Sequence, residues 1–470
     1  MFRRILIANR GEIAIRIIRT CQEMDIETVA VYSKADADAL NVKLANYSIC
    51  IGGSRAEESY LNQEAIVSAA IAYKCDAIHP GYGFLSENAD FAELCEKNGI
   101  KFIGPKPDVI RRFGDKSNAR QTLKKAGVPV IPGSDGVVSD ADEAAAVAEQ
   151  IGYPVLVKAS AGGGGRGMRR IDEPGKLREL FEEARSESVT AFGSSDMYIE
   201  KFIQNSKHIE FQILADNYGH FVHLGERDCS VQRMNQKMIE ETPSRSVPEE
   251  IRKKMGRTAV LCAEAGGYTN AGTVEFLCNE DGSYYFMEMN ARIQVEHGIT
   301  EMVTGVDIVR EQIRIASGLP LDMKQSDIEI NGHAIECRIN AEDPDSGFRP
   351  SPGEVRFIHI PGGKGVRVDT ALYSGCSVSP YYDSLVAKVI TRGKTRLEAL
   401  RIMRRALEEL IIDGIKTNIS FMCLILYDTD FVRGRYDTGF IDGKLSTFLN
   451  WDMFYDGIGR MENERWIHLK

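Results

Sequence analysis

No stretch of this 470-residue chain is long and uncharged enough to span a bilayer, and none of its ten cysteines belongs to a C-x-x-C pair. The first absence excludes a transmembrane helix, which needs about 20 predominantly apolar residues. The cysteines are scattered, and without secretion they read as reduced, mostly buried thiols. The N-terminal stretch MFRRILIANRGEIAIRIIRT is interrupted by Asn9, Arg10, Glu12 and Arg16, so it is neither a signal-peptide core nor an anchor. Positive charge is in deficit: 58 Lys and Arg against 68 Asp and Glu give a net charge of −10. That excludes nucleic acid and anionic membrane as default partners, and a bound anion must be held by a local cluster of cations. Internal repeats and low-complexity segments are also missing. What is present, 43% hydrophobic and 27% charged residues, is ordinary for a soluble, cytoplasmic protein of two or three packed subdomains.

The opening residues predict strand, turn, helix, strand. Ile5, Leu6 and Ile7 form an apolar run, Ile13, Ile17 and Cys21 share a helical face after Gly11, and residues 27–32 read as the next strand. This is a βαβ start to a parallel sheet. Its turn, Asn9-Arg10-Gly11-Glu12, lacks the G-x-G-x-x-G of dinucleotide sites. Residues 77–86, AIHPGYGFLS, predict a loop at the sheet's carboxyl edge. A helical region from about Lys106, strands at 153–158 and 197–200, alternating strands to about Asn340 and a helix at 396–410 follow. The G-K-T at residues 393–395 has Lys388 where a Walker A loop needs glycine, and is a decoy.

The chemistry concentrates in GTVEFLCNEDGSYYFMEMNARIQVEH, residues 272–297. Asp281-Gly282 predicts a two-residue hairpin turn that pairs Glu280 with Ser283, Leu277 with Phe286 and Glu275 with Glu288. Val274, Phe276, Cys278, Tyr285, Met287 and Met289 then form a core face, and Thr273, Glu275, Glu288 and Asn290 the opposite one. Two directly opposed carboxylates, about 5 Å apart, repel each other. A divalent cation removes that penalty, and an oxygen-only set suits magnesium with substrate phosphates; a solvated face with splayed glutamates is the plainer alternative. If the strand stays extended, Asn290, Arg292, Gln294 and Glu296 share one side. Glu336, Arg338 and Asn340 repeat the pattern against Ile335, Cys337 and Ile339. The glycine run of residues 161–167, flanked by Lys158 and containing Arg166, predicts a phosphate-contacting loop, with a surface loop as the alternative. ERDCSVQRMNQK packs Arg227, Arg233 and Lys237 into twelve residues and reads as an anion site or, for Arg227, a solvated loop.

Together with HPGYGFLSEN, FIGP, GDK, KASAGGGGRGM, TEMVTG, CRINAEDP, PYYDS and LIIDGIKTN, these motifs resemble the biotin carboxylase family of the ATP-grasp superfamily, from residue 2 to about 418. Other ATP-grasp enzymes share the glycine loop and the metal carboxylates, but not RIQVEH followed by RINAEDP. The resemblance implies an α/β and α+β ATP-grasp fold. It would comprise a parallel α/β domain (1–113), an ATP-grasp domain (114–312) with a mobile lid at about 130–202, and a C-terminal domain (313–447). Residues 448–470, with both tryptophans, match no family pattern; Trp451, Phe454, Tyr455 and Ile458 make a helical stripe suited to docking or to packing on its own domain.

The resemblance further implies that ATP phosphorylates bicarbonate to carboxyphosphate, which yields carbon dioxide for attack by the biotin enolate. ATP contacts fall to Lys116, Lys158, Gly164, Gly165, Glu200, Lys201, Phe202, Ile203, His208, Gln232, Glu275 and Glu288. Glu275, Glu288 and Asn290 would hold magnesium, with manganese as a substitute. Lys237, Arg292, Gln294 and Val295 hold bicarbonate, Glu296 is its base, and Tyr82 and Arg338 meet biotin. Arg292, Glu296, Arg338 and Lys237 form the catalytic set. The partners implied are a biotin carboxyl carrier protein, carboxyltransferase subunits on separate chains (no Met-Lys-Met attachment motif occurs) and a second copy in a homodimer. Many members read Arg-Arg-His-Gln-Lys at residues 233–237, where this chain has Met234 and Asn235, and Gly298 replaces a frequent proline. His79 and His297 carry no assigned role. The competing readings are another ATP-dependent carboxylate ligase and a catalytically silent nucleotide-binding subunit.

Overall fold

A computed structural model describes residues 1–160 and 167–449. Its first unit is a five-stranded parallel sheet of β1 (Arg4–Ile7), β2 (Glu27–Ser33), β3 (Tyr47–Gly52), β4 (Ala77–His79) and β5 (Lys101–Phe102), in the order β3-β2-β1-β4-β5. The strands are apolar because helices cover them: Ile13, Ile17 and Cys21 of helix α1 (Gly11–Glu23) are buried against Ile5 and Ile7. Strand order reverses between β1 and β4, and ligands bind at the carboxyl ends of strands at such a switch point. Asn9 ties the two loops there together, its Nδ2 donating to the carbonyls of Pro80 and Tyr82, both at 2.7 Å. Gly81 has φ +62°, and a Cβ there would meet Asn9 Nδ2 at 2.9 Å, so only glycine fits.

A small antiparallel sheet follows, of β6 (Val155–Ala159) between β7 (Met168–Ile171) and β8 (Met197–Lys201). It has its own apolar cluster with the helices Ala141–Ile151 and Leu177–Phe192, including Val157, Phe181 and Ile199. The third unit is an eight-stranded antiparallel sheet. Its order is β13 (Tyr284–Asn290), β12 (Asn270–Cys278), β9 (Lys207–Ala215), β10 (Phe221–Arg233), β11 (Gln236–Thr242), β14 (His333–Asn340), Leu385–Gly393 and Val366–Thr370. One sheet therefore joins the strands of residues 207–290 to those of residues 333–393, through the β11–β14 pairing. The helix expected at 396–410 is Arg396–Glu409, and it packs with Ile335, Cys337 and Ile339, the apolar side of β14. The fold is α/β and α+β, as the motifs implied. The tail stripe from Trp451 lies outside the described residues.

Candidate active site

The loops after β1 and β4, the small sheet and one face of the large sheet enclose a cavity of about 940 Å³. Lys116, Lys158, Glu200, Lys201, Phe202, Ile203, His208, Gln232, Lys237, Glu275, Glu288, Asn290, Arg292, Gln294, Val295, Arg338 and Tyr82 all line it. Residues from nearly 260 positions of sequence thus converge on one space. Glu296 is the exception: it is fully buried behind Lys237 and Arg338. Gly164, Gly165 and Arg166 lie outside the described residues.

The β12–β13 hairpin places Glu275 opposite Glu288, by a different route from the one expected. The turn has three residues, 280–282, closed by Asn279 N–H to Ser283 O at 2.8 Å, with Gly282 at φ +81° in the left-handed position such loops need. Leu277 consequently pairs with Tyr285 rather than Phe286. A bulge at Met287 then restores the glutamate pairing. Tyr284, Phe286 and Met289 enter the core, while Met287 faces the cavity and Tyr285 is half-buried, which corrects their expected core positions. The extended comb beyond Asn290 is also corrected: β13 ends there, and Glu296 immediately precedes the helix His297–Thr304. The comb closes up nonetheless. Arg292 donates to Gln294 Oε1 at 2.7 Å and Asn290 Oδ1 at 3.0 Å, and the Asn290 and Gln294 amides each donate to Glu275 Oε1 at 2.9 Å.

Lys237 is the centre of charge. Its Nζ donates to Glu210 at 2.6 Å, Glu275 at 3.0 Å and Glu296 at 2.7 Å. Burial opposes its charge, but the three carboxylates hold its pKa well above the ordinary lysine value. Burial likewise works to raise Glu296, yet Lys237, Arg338 and Arg227 hold it well below the usual carboxylate range. Glu275 is ionised for the same reason: Lys237 and His208, whose Nε2 lies 2.8 Å from Oε2, outweigh burial. Arg338 bridges Glu240 Oε1 at 2.6 Å and Glu296 Oε2 at 3.0 Å. Lys116 pairs with Glu288 at 2.9 Å, and that carboxylate raises its pKa against burial.

At the other end of the cavity Lys158 pairs with Glu200, and Lys201 Nζ donates to the carbonyls of Gly152 at 3.0 Å and Tyr153 at 2.8 Å. The Phe202 ring lies under Arg170, 4.5 Å from ring centroid to guanidinium carbon. Tyr82 donates its hydroxyl proton to Glu12. Of the three cations in ERDCSVQRMNQK only Lys237 faces the cavity. Arg227 is fully buried, bonded to Glu210, Gln212, Thr273 and Thr300, and Arg233 covers the Phe348 ring. Sequence reasoning missed Glu87, which holds Arg292 Nε at 2.8 Å, and Glu210 and Glu240. It also missed Lys388, a buried lysine bonded to the Val295 carbonyl at 2.7 Å and Glu12 at 3.0 Å. A charge set between apolar residues was the only signal for Glu210 and Lys388, and Glu240 stands beside a second glutamate, Glu241. The cavity-facing oxygens of Glu275, Glu288 and Asn290 fit a hard divalent cation, and Glu275 is kept ionised for it.

Residues 1–110 match the family described as "Biotin carboxylase, N-terminal domain", and residues 336–443 "Biotin carboxylase C-terminal domain". Residues 115–324 match "Carbamoyl-phosphate synthase L chain, ATP binding domain". Biotin carboxylase 1 of Bacillus subtilis (strain 168) is 55% identical over 443 residues, 94% of this chain and 98% of that protein. The chloroplastic biotin carboxylase of Arabidopsis thaliana is 56% identical over 438 residues, 93% of this chain and 82% of that protein. The solved biotin carboxylase domain dimer of the Hydrogenobacter thermophilus 2-oxoglutarate carboxylase, in complex with MgADP, ADP and bicarbonate, superposes with a TM-score of 0.92. It is 50% identical and covers 95% of this chain and 99% of that one.

Proposed function

The chain belongs to the biotin carboxylase family, and we infer that the cavity around Lys237 is where it works. The enzyme is a ligase that uses ATP, magnesium and bicarbonate to carboxylate biotin, releasing ADP and phosphate. The observation that carries the site assignment is Glu296, an ionised, buried carboxylate between Lys237 and Arg338. In this reading Arg292, Gln294 and the Val295 backbone hold bicarbonate, and Glu296 takes its proton as its oxygen attacks the γ-phosphorus and ADP leaves. Lys237 neutralises charge on the resulting carboxyphosphate, which splits into carbon dioxide and phosphate. Phosphate removes the ureido N–H proton of biotin beside Tyr82, Arg338 holds the enolate, and its nitrogen attacks carbon dioxide. Lys116, Lys158, Glu200, Lys201, Phe202, Ile203, His208 and Gln232, with Gly164 and Gly165, take the nucleotide. Glu275, Glu288 and Asn290 would hold magnesium (or manganese), which supplies charge neutralisation at the phosphates.

The division into 1–113, 114–312 with a lid at about 130–202, 313–447 and a tail is part of this proposal. So are a homodimer, a cytoplasmic setting, and service to a biotin-dependent carboxylase such as the acetyl-CoA carboxylase of fatty acid synthesis, with another acyl-CoA or pyruvate as the alternative acceptor. A dimer is supported by the Hydrogenobacter thermophilus structure. Among the described residues no helix is long and apolar enough to cross a membrane. A biotin carboxyl carrier protein and carboxyltransferase subunits as partners belong to the same proposal. ADP release tests the reading: it requires bicarbonate and magnesium and is accelerated by free biotin. An equal rate without bicarbonate would point to another ligase, and tight ATP binding without turnover to a silent subunit.

A further inference from the structure

Behind Arg338 lies a pair of acids that the reaction scheme leaves unused. Glu240 on β11 and Glu336 on β14 are directly opposed across the sheet, and both are 0% exposed. Glu240 Oε1 accepts from Arg338 Nε at 2.6 Å. Its Oε2, and both oxygens of Glu336, have no hydrogen-bond partner among the described residues. Two ionised carboxylates so placed repel strongly in a low dielectric, and an ionised carboxylate without a hydrogen bond is costly to bury. The groups facing Glu336 are Lys388 on Leu385–Gly393, Arg338 on its own strand, Glu240 on β11, Glu296 at the helix start and Tyr82 in the loop after β4. Lys388 is already committed to the Val295 carbonyl and Glu12. From the helix side Gly298 offers no side chain: a Cβ there would stand 3.5 Å from Glu336 Oε2 and 2.4 Å from Ile390 Cδ1.

We propose that Glu336 is a positioning residue for biotin carboxylation: it stands as the neutral acid opposite an ionised Glu240, and so leaves Arg338 free charge for the biotin enolate. This rests on the assignment of Arg338 to biotin made above. Arg338 already faces two anions, Glu240 and Glu296. When Glu296 takes the bicarbonate proton, one of the two is cancelled and the guanidinium can turn to the enolate oxygen. A third negative charge at Glu336 would undo that gain and repel the enolate. The surroundings agree. Burial, opposed by Lys388 and reinforced by Glu240, pushes the Glu336 carboxyl well up, whereas Arg338 limits the rise of Glu240 to about 7, so Glu240 is the first of the two to ionise. As pH rises and Glu336 ionises, kcat for biotin carboxylation falls while KM for ATP does not follow.

The test compares pH profiles of kcat for carboxylation of free biotin in the wild type and Glu336→Gln. The alkaline fall of the wild type is expected to be absent in the variant, or displaced upward by about one pH unit or more. Coincident profiles would overturn the proposal. Infrared spectra of the wild type labelled with ¹³C-glutamate give an answer independent of the variant's folding. A carboxylic-acid carbonyl band is expected at neutral pH that disappears along the alkaline fall, and its absence would also overturn the proposal. A wild type that carboxylates no biotin at any pH would contradict the functional assignment itself.

Discussion

Glu275 and Glu288 stand opposite each other across the β12–β13 pair, the first gripped by Lys237 and His208 and the second by Lys116. Cations of the protein hold apart two carboxylates that are drawn together on the cavity wall. Glu288→Gln should therefore leave the melting temperature of the ligand-free protein nearly unchanged while removing its rise with magnesium and ATP. A ligand at 100 times its Kd contributes about 2.7 kcal/mol, so the wild-type rise is readily measured by thermal unfolding. An equal rise in the variant would contradict the metal assignment.

Glu296→Gln and Arg338→Ala should each lower biotin carboxylation by about 10²-fold or more, as for a positioned base or charge stabiliser. Neither is placed on the nucleotide, so ATP binding measured by titration calorimetry should survive. Loss of ATP binding in either variant would refute the division of roles.

Glu296 also marks the acid limit of stability. Its folded pKa lies below the unfolded value of about 4.3. The stability it contributes is present above that value and is lost as pH falls through the folded pKa. Urea unfolding at a series of acid pH values should show a shallower loss in Glu296→Gln than in the wild type. Parallel curves would mean that the carboxylate is not held in its charged form.

Met234 and Asn235 form a two-residue turn between paired Arg233 and Gln236, with φ +48° and +63°. Positive φ at both positions is the type I′ hairpin, for which asparagine is suited. Asn235→Gly should keep the turn and its stability, whereas Asn235→Ala should cost about 1 kcal/mol of folding stability. Lys237→Ala, two residues on, should cost several kcal/mol in ATP cleavage, because it removes the cation that three carboxylates share. Equal kinetic losses for Asn235→Ala and Lys237→Ala would contradict this account.

Much of this site was legible because its residues alternate on strands. Glu336 and Arg338 lie on one side of β14 and Ile335, Cys337 and Ile339 on the other, as period two requires. The glutamate pair was found although the turn is one residue longer than Asp281-Gly282 suggests, because the bulge at Met287 compensates for it. A bulge has no signature in residue type, so Tyr285 and Met287 were placed on the wrong face. Arg227 and Lys388 were not legible: their partners lie tens of residues away, and Arg227 between Glu226 and Asp228, like Lys388 alone among apolar residues, reads as surface until the sheet is assembled. Asn235 combines both lessons, since its conformation is local and its place at the cavity is not.

In the proposed reaction this cavity joins bicarbonate to biotin at the expense of ATP. The direct measurement is transfer of radiolabel from bicarbonate to free biotin by the purified chain with magnesium and ATP. Labelled carboxybiotin is expected, formed in proportion to ADP, dependent on ATP and lowered by about 10²-fold or more in Arg338→Ala. ADP formed with no label in biotin, or label transferred equally well without ATP, would contradict it.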